Sequence, residues 1–126
     1  MEITDSTADT FYLGEYGYFD SLCFDFLKDL QKEYPHIKIV CIFPYGHENN
    51  YRLSYAKYCF DNVICPIINV PKRSAILKRN KWMVDHSDIT VTFYIKSKSI
   101  PEQIFYYAKS KNKSCINIAS RRNKNN

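Results

Sequence analysis

The sequence predicts an α/β protein, a three-layer sandwich with a mostly parallel sheet of about five short strands. Short β-branched or aromatic runs alternate with longer segments whose apolar residues recur at helical spacing. The alternation is regular along the whole chain, which is the pattern of strand, crossover helix and parallel strand. With 126 residues, 45% apolar and 25% charged, the chain is long enough for a core of its own and too apolar for wholesale disorder. No internal repeat or linker interrupts it. Residues 1–8 are expected to be a disordered leader, 9–119 the folded domain and 120–126 a disordered basic tail.

Thr10 to Leu13 reads as a buried strand ending in the turn Gly14-Glu15-Tyr16-Gly17. Asp20 is placed to cap a helix in which Leu22, Cys23, Phe26, Leu27 and Leu30 recur at helical spacing until Pro35 stops it. Ile37 to Phe43 alternates little and is rich in β-branched residues, as a strand buried on both faces would be. From Asn49 to Phe60, Tyr51, Tyr55 and Tyr58 follow the i, i+4, i+7 spacing of a short helix, a stripe expected in the core or at its rim. Asn62 to Cys65 is a short strand, and Lys72 to His86 is a helix ended by Ser87-Asp88. Ile89 to Ile95 is the strongest strand; Pro101 suits the first turn of the helix that follows, which runs through Ser110. Cys115 to Ile118 closes the series, which is Rossmann-like in its order.

Composition excludes several classes. No apolar run approaches the roughly 18–20 residues of a membrane span, and no basic segment followed by an apolar run opens the chain. A cytoplasmic protein without a membrane partner is expected. The five cysteines, Cys23, Cys41, Cys59, Cys65 and Cys115, form no CxxC and no zinc spacing with His36, His47 or His86. They read as reduced thiols, with no metal and no cofactor implied. There is no paired-carboxylate motif, no GxSxG and no HExxH, so catalysis has little to stand on. The net charge of +5 is uneven: residues 1–33 carry eight acids against two lysines, and residues 96–126 carry eight bases against Glu102. Such asymmetry suits pairing between subunits or a basic mouth for an anion. The tyrosines fall at core spacings and no nucleic-acid module is spelled out, so nucleic acid is not the expected partner.

In a parallel sheet, ligands bind beyond the carboxyl ends of the strands. Four segments fall there: Gly14 to Asp20, Pro44 to His47, Pro66 to Arg73 and Lys96 to Ser99. In the helix from Lys72, Ile76, Leu77, Met83 and Val84 form the apolar stripe, and Asn80 interrupts it. A polar residue on a buried face needs partners, which a loop or a ligand can supply. Arg73 lies two turns earlier on nearly the same side as Asn80, and Arg79 sits at the edge of the stripe. The candidate ligand-binding set is Gly14, Tyr16, Gly17, Tyr45, Arg73, Arg79, Asn80, Lys96, Ser97 and Lys98.

Three stretches carry a family resemblance. Phe11 to Asp20, FYLGEYGYFD, resembles the opening "FYxGGxGxFD" of a short bacterial family in the SLOG superfamily. Lys32 to Lys38, KEYPHIK, resembles its helix-to-strand join. Val70 to Asp85, VPKRSAILKRNKWMVD, is similar to its "VPKRxAIxxRNxWMVxxxD" block. The resemblance runs from about Thr10 to Ile118. It implies a Rossmann-like fold and a pocket for nucleotide-derived ligands, such as ADP-ribose-type signals, lined by Gly14, Gly17, Arg79, Asn80 and the loop after Ile95. One branch of the superfamily consists of phosphoribohydrolases with a Gly-rich loop and a glutamate.

This sequence departs from the pattern in three places. The usual first strand, ending in Gly-His-Arg, has no counterpart before Thr10. The first Gly-Gly pair is Gly14-Glu15. The loop that normally carries Gly-Gly-Ala is Lys96-Ser97-Lys98-Ser99-Ile100-Pro101, without glycine. The expectation is therefore a trimmed domain that binds a nucleotide-derived anion without turning it over, sensing or sequestering it, as a viral anti-defence sponge would. A phosphoribohydrolase-like enzyme and an interaction module with a degenerate pocket are the alternatives. A homodimer or higher homo-oligomer is expected, because the missing strand leaves a flank to cover and aromatics make up 16% of the chain.

Overall fold

The computed structural model describes residues 9–14, 18–44, 50–66, 70–93 and 99–118. Nine elements alternate as the sequence predicts: β1 (Thr10–Leu13), α1 (Tyr18–Glu33), β2 (Lys38–Ile42), α2 (Asn50–Cys59), β3 (Asn62–Ile64), α3 (Lys72–Asp85), β4 (Ile89–Thr92), α4 (Ile100–Ser110) and β5 (Ser114–Asn117). The protein is α/β, and every strand pair is parallel. The five strands form a three-stranded sheet in the order β1-β2-β3 and a two-stranded sheet of β4 and β5. The chain divides into two compact units, Met1–Lys72 and Arg73–Asn126.

In the first unit β2 is central, pairing Phe11 with Ile39 on one side and Cys41 with Val63 on the other. Side chains alternate across a strand, so Ile39, Cys41 and Phe43 share one face. Leu27 of α1 packs with Leu13, Ile37 and Ile39, and Ala56 of α2 packs with Cys41 and Phe43. Both helices therefore lie on the same face, side by side, and Phe60 packs into both clusters. Its ring meets Phe24 at 4.8 Å between centroids. Val40 and Ile42, on the opposite face, are buried too, as expected of a strand covered on both sides.

Two local expectations are corrected. The α1 helix starts at Tyr18, so Asp20 is an acid in its first turn, favourable to the helix dipole, rather than its cap. The tyrosine stripe of α2 is not core: Tyr51, Tyr55 and Tyr58 are exposed, and the inward side of the helix is Leu53 and Ala56. Spacing alone marks a stripe without saying which side of the helix it occupies, and the small Ala56 is what lets α2 approach the sheet.

Asp61 joins α2 to β3 and holds the neighbouring strand. Its Oδ2 accepts from the Ile39 amide and from Gln31 Nε2, each at 2.8 Å, and its own amide donates to the Ile39 carbonyl at 3.0 Å. Burial pushes the Asp61 carboxyl up, but the Ile39 and Gln31 hydrogen bonds, with Lys38 and Lys28 nearby, outweigh it and hold it below its ordinary value. A depressed carboxyl contributes stability above its unfolded value of about 3.9, lost as pH falls through the folded value. The melting temperature of Asp61→Asn is expected to fall less steeply than that of wild type below about pH 4. Parallel profiles for the two proteins would show that Asp61 contributes nothing to acid sensitivity.

In the second unit α4 packs over both β4 and β5. Val84 of α3 with Ile104 and Ala108 of α4 form its core cluster, with Leu77, Tyr107 and Cys115 of β5 packed against it. Ser99 caps α4, its Oγ accepting from the Glu102 amide at 3.3 Å, and Pro101 lies in the first turn as predicted. The other end closes without glycine. Asn112 takes a positive φ of 58°, and the Asn112 and Lys113 amides donate to the Lys109 and Ala108 carbonyls, both at 3.0 Å. Asparagine tolerates this left-handed conformation better than most residues.

Candidate functional site

The three most buried polar side chains among the described residues, Arg79, Thr92 and Asn117, all belong to the second unit. Thr92 ends β4 and Asn117 ends β5, and the two are register partners. They stand side by side at the carboxyl edge of a parallel sheet, where doubly wound proteins hold their ligands. Alternation puts Thr90, Thr92, Cys115 and Asn117 on one face of the pair. Thr92 Oγ1 donates to the Ile116 carbonyl at a long 3.4 Å. The Thr90 hydroxyl is buried with no hydrogen-bond partner among the described residues. Thr90→Val is therefore expected to leave stability unchanged or raise it by up to about 1 kcal/mol. Urea denaturation measures this; a loss above that size would show that the hydroxyl has a partner in solution.

Arg79 is 3% exposed, and its Nε donates to Asn80 Oδ1 at 2.7 Å. The sequence places Asn80 inside the buried stripe and Arg79 at its edge. The structure reverses their depth: Arg79 is buried with Ala75 and Val84, while Asn80, Ile76, Leu77 and Met83 are half-buried. A guanidinium keeps its charge at any physiological pH, so such burial requires a set of acceptors around it. Arg73 is exposed near the start of the helix and does not share Arg79's environment. Of the remaining candidates, Gly14 is buried at the end of β1 in the first unit. Tyr16, Gly17, Tyr45, Lys96, Ser97 and Lys98 lie outside the described residues.

The start of α4 is a poor phosphate cradle. Pro101 has no amide hydrogen, the Glu102 amide is used by Ser99 Oγ, and the Gln103 amide donates to the Ser99 carbonyl at 3.1 Å. Glu102 also sets a negative charge in the first turn. Any anion at this edge depends on side chains more than on the helix terminus. Thiol chemistry is disfavoured at two of the cysteines. Burial, then the Asp20 carboxylate, pushes Cys23 up to about 11, and burial raises Cys115 against the opposing pull of Lys109. A thiol so shifted is almost wholly protonated at neutral pH and is a weak nucleophile.

Around α3 and α4 the polar contacts are structural. Tyr107 donates to both Asp85 oxygens, at 2.8 and 3.1 Å, and Lys113 Nζ donates to the Ser87 carbonyl at 2.9 Å. His86 stacks on Trp82 at 4.1 Å between centroids, with Nδ1 2.9 Å from the Trp82 carbonyl. These contacts anchor the end of α3 and bring no acid, base and nucleophile together.

Thr92 and Asn117 are the site residues that motif reading passes over. Their signal is faint but present: threonines at alternate positions of an otherwise apolar strand, and an asparagine between Ile116 and Ile118. No helix among the described residues is long and apolar enough to cross a membrane. No group of three or more potential metal-binding side chains occurs among them either. The chain matches no family model and no curated protein.

Proposed function

We propose that this protein binds a nucleotide-derived anion, of the ADP-ribose or cyclic-nucleotide type, and senses or sequesters it without turning it over. The observation that carries this reading is the buried Arg79 guanidinium, in the same unit as the buried pair Thr92 and Asn117 at the carboxyl edge of β4 and β5. Arginine suits phosphate because its planar fork can donate two hydrogen bonds at once. Threonine and asparagine can address ribose hydroxyls or a base edge. The resemblance of the Val70–Asp85 block to the SLOG superfamily supports the same ligand class. Lys96 and Lys98, between β4 and α4 in the sequence, add positive charge. In this reading the protein is a cytoplasmic homodimer, and sequestration would suit an anti-defence sponge.

The reading is tested by calorimetric titration of the purified protein with ADP-ribose and with a cyclic dinucleotide, at low and at high salt. Chromatography of the recovered ligand completes the test. Binding of either compound, weakened several-fold at high salt, with the ligand intact, is the expected result. A hydrolysed product would establish the phosphoribohydrolase alternative. Absence of binding to both would leave the interaction module, whose support is the exposed aromatic surface of the first unit.

A further inference from the structure

We infer that the outer faces of α1 and α2 form the homodimer interface, with α1 of each copy packed over α2 of the other. This deepens the homodimer part of the proposed function and is independent of the ligand.

Six of the nine exposed large hydrophobic side chains among the described residues sit on these two helices. Tyr18, Leu22 and Phe26 are 80%, 48% and 54% exposed, at i, i+4 and i+8 along α1. Tyr51, Tyr55 and Tyr58 are 80%, 61% and 89% exposed along α2. Each set forms one stripe opposite the buried side of its helix. Because the two helices lie side by side on one sheet face, the stripes share one outer layer. Six such side chains present on the order of 600–700 Å², close to the roughly 800 Å² per partner of a stable interface. Tyrosine is enriched in interfaces and loses little rotamer entropy when buried there.

Charge selects the occupant. The α1 helix carries four acids against two lysines, a net −2, and Asp25, Asp29 and Glu33 border its stripe. The α2 helix carries Arg52 and Lys57 and no acid, a net +2. The layer is neutral as a whole, so a polyanion gains no counterion release from it. It is instead complementary to itself. A two-fold axis running along the helices places α1 over the partner's α2 and α2 over the partner's α1. An axis across the helices would set each acidic face against its own copy, which repels.

The test is light scattering on the full chain at micromolar concentration. Wild type is expected at about 30 kDa, twice the 14.9 kDa of one chain. Phe26→Glu with Tyr55→Glu is expected to weaken association at least about tenfold, because a charge is placed in each stripe. Exposed charge variants check the arrangement without touching the aromatics. Asp25→Lys with Asp29→Lys makes both layers basic, and Lys57→Glu shifts both towards acidic. Each variant alone should dimerise less than wild type, and a mixture of the two should form heterodimers. A wild-type mass near 15 kDa, or a dimer that survives Phe26→Glu with Tyr55→Glu, would overturn the inference. So would a monomer that binds single-stranded oligonucleotide through these tyrosines. Ligand titration on the same variants separates the two readings. A monomer that still binds ADP-ribose removes the interface and leaves the ligand, and a dimer that binds nothing does the reverse.

Discussion

Arg79→Ala is expected to lower stability by about 2–4 kcal/mol, because truncation opens a cavity and strips Asn80 Oδ1 of its donor. From the sequence alone, with Arg79 at the edge of an apolar stripe, its removal would be expected to weaken binding and leave the fold intact. A side chain only 3% exposed cannot be removed so lightly. The informative change is therefore Arg79→Met, which keeps the length of the side chain and removes the charge. It opens no large cavity, although it too removes the donor to Asn80 Oδ1, so its cost is expected to be smaller than that of Arg79→Ala. If Arg79 holds a phosphate, Arg79→Met remains folded, loses less stability in urea than Arg79→Ala, and loses ligand binding. A protein that melts early but binds as before would make Arg79 a purely structural residue.

The second large effect lies in the first unit. Phe43 is 1% exposed and packs with Cys41 and Ala56 and against Leu53, Phe60, Val63 and Cys65. Its amide also donates to the Ile64 carbonyl at 2.8 Å, which ties the end of β2 to β3. The side chain fills the space between α2 and the sheet, so Phe43→Ala is expected to cost about 3–5 kcal/mol. Chemical denaturation followed by tyrosine fluorescence and by circular dichroism measures it. A cost below about 1 kcal/mol would mean that α2 does not depend on this contact for its seat on the sheet.

The order and type of all nine elements were legible because each carried its own period and its own stop. Pro35 ended α1, Ser87-Asp88 followed α3, and Pro101 opened α4. Depth was less legible. Among the described residues of α3, Ala75, Arg79 and Val84 are the most buried; Val84 belongs to the apolar stripe, but Ile76, Leu77 and Met83 are only half-buried while Arg79 is buried. Arg79 is buried by its surroundings in the second unit, a tertiary effect that the periodicity of a single helix cannot carry. The same holds for α2, where three large tyrosines mark the outer side and one alanine marks the inner. The division of the strands into sets of three and two was also hidden. Pairing depends on which edges meet, and short strands of similar composition do not encode it locally.

The candidate site was half legible. Asn80 stood out as a polar residue inside the apolar stripe of α3, with Arg79 at its edge, and the structure joins the two by a hydrogen bond. Thr92 and Asn117 did not, because a threonine in a strand is ordinary and their importance comes from their shared position at the strand ends. Burial of that pair is a property of the fold.

Native mass spectrometry of the purified protein, with ADP-ribose and a cyclic dinucleotide added in turn, tests the central claim most directly, since it weighs the chain and its ligand together. An adduct of one intact ligand per chain is expected with at least one compound, carried by wild type and absent from Arg79→Met. A spectrum that shows no adduct with either compound, from a protein shown to be folded, would contradict it.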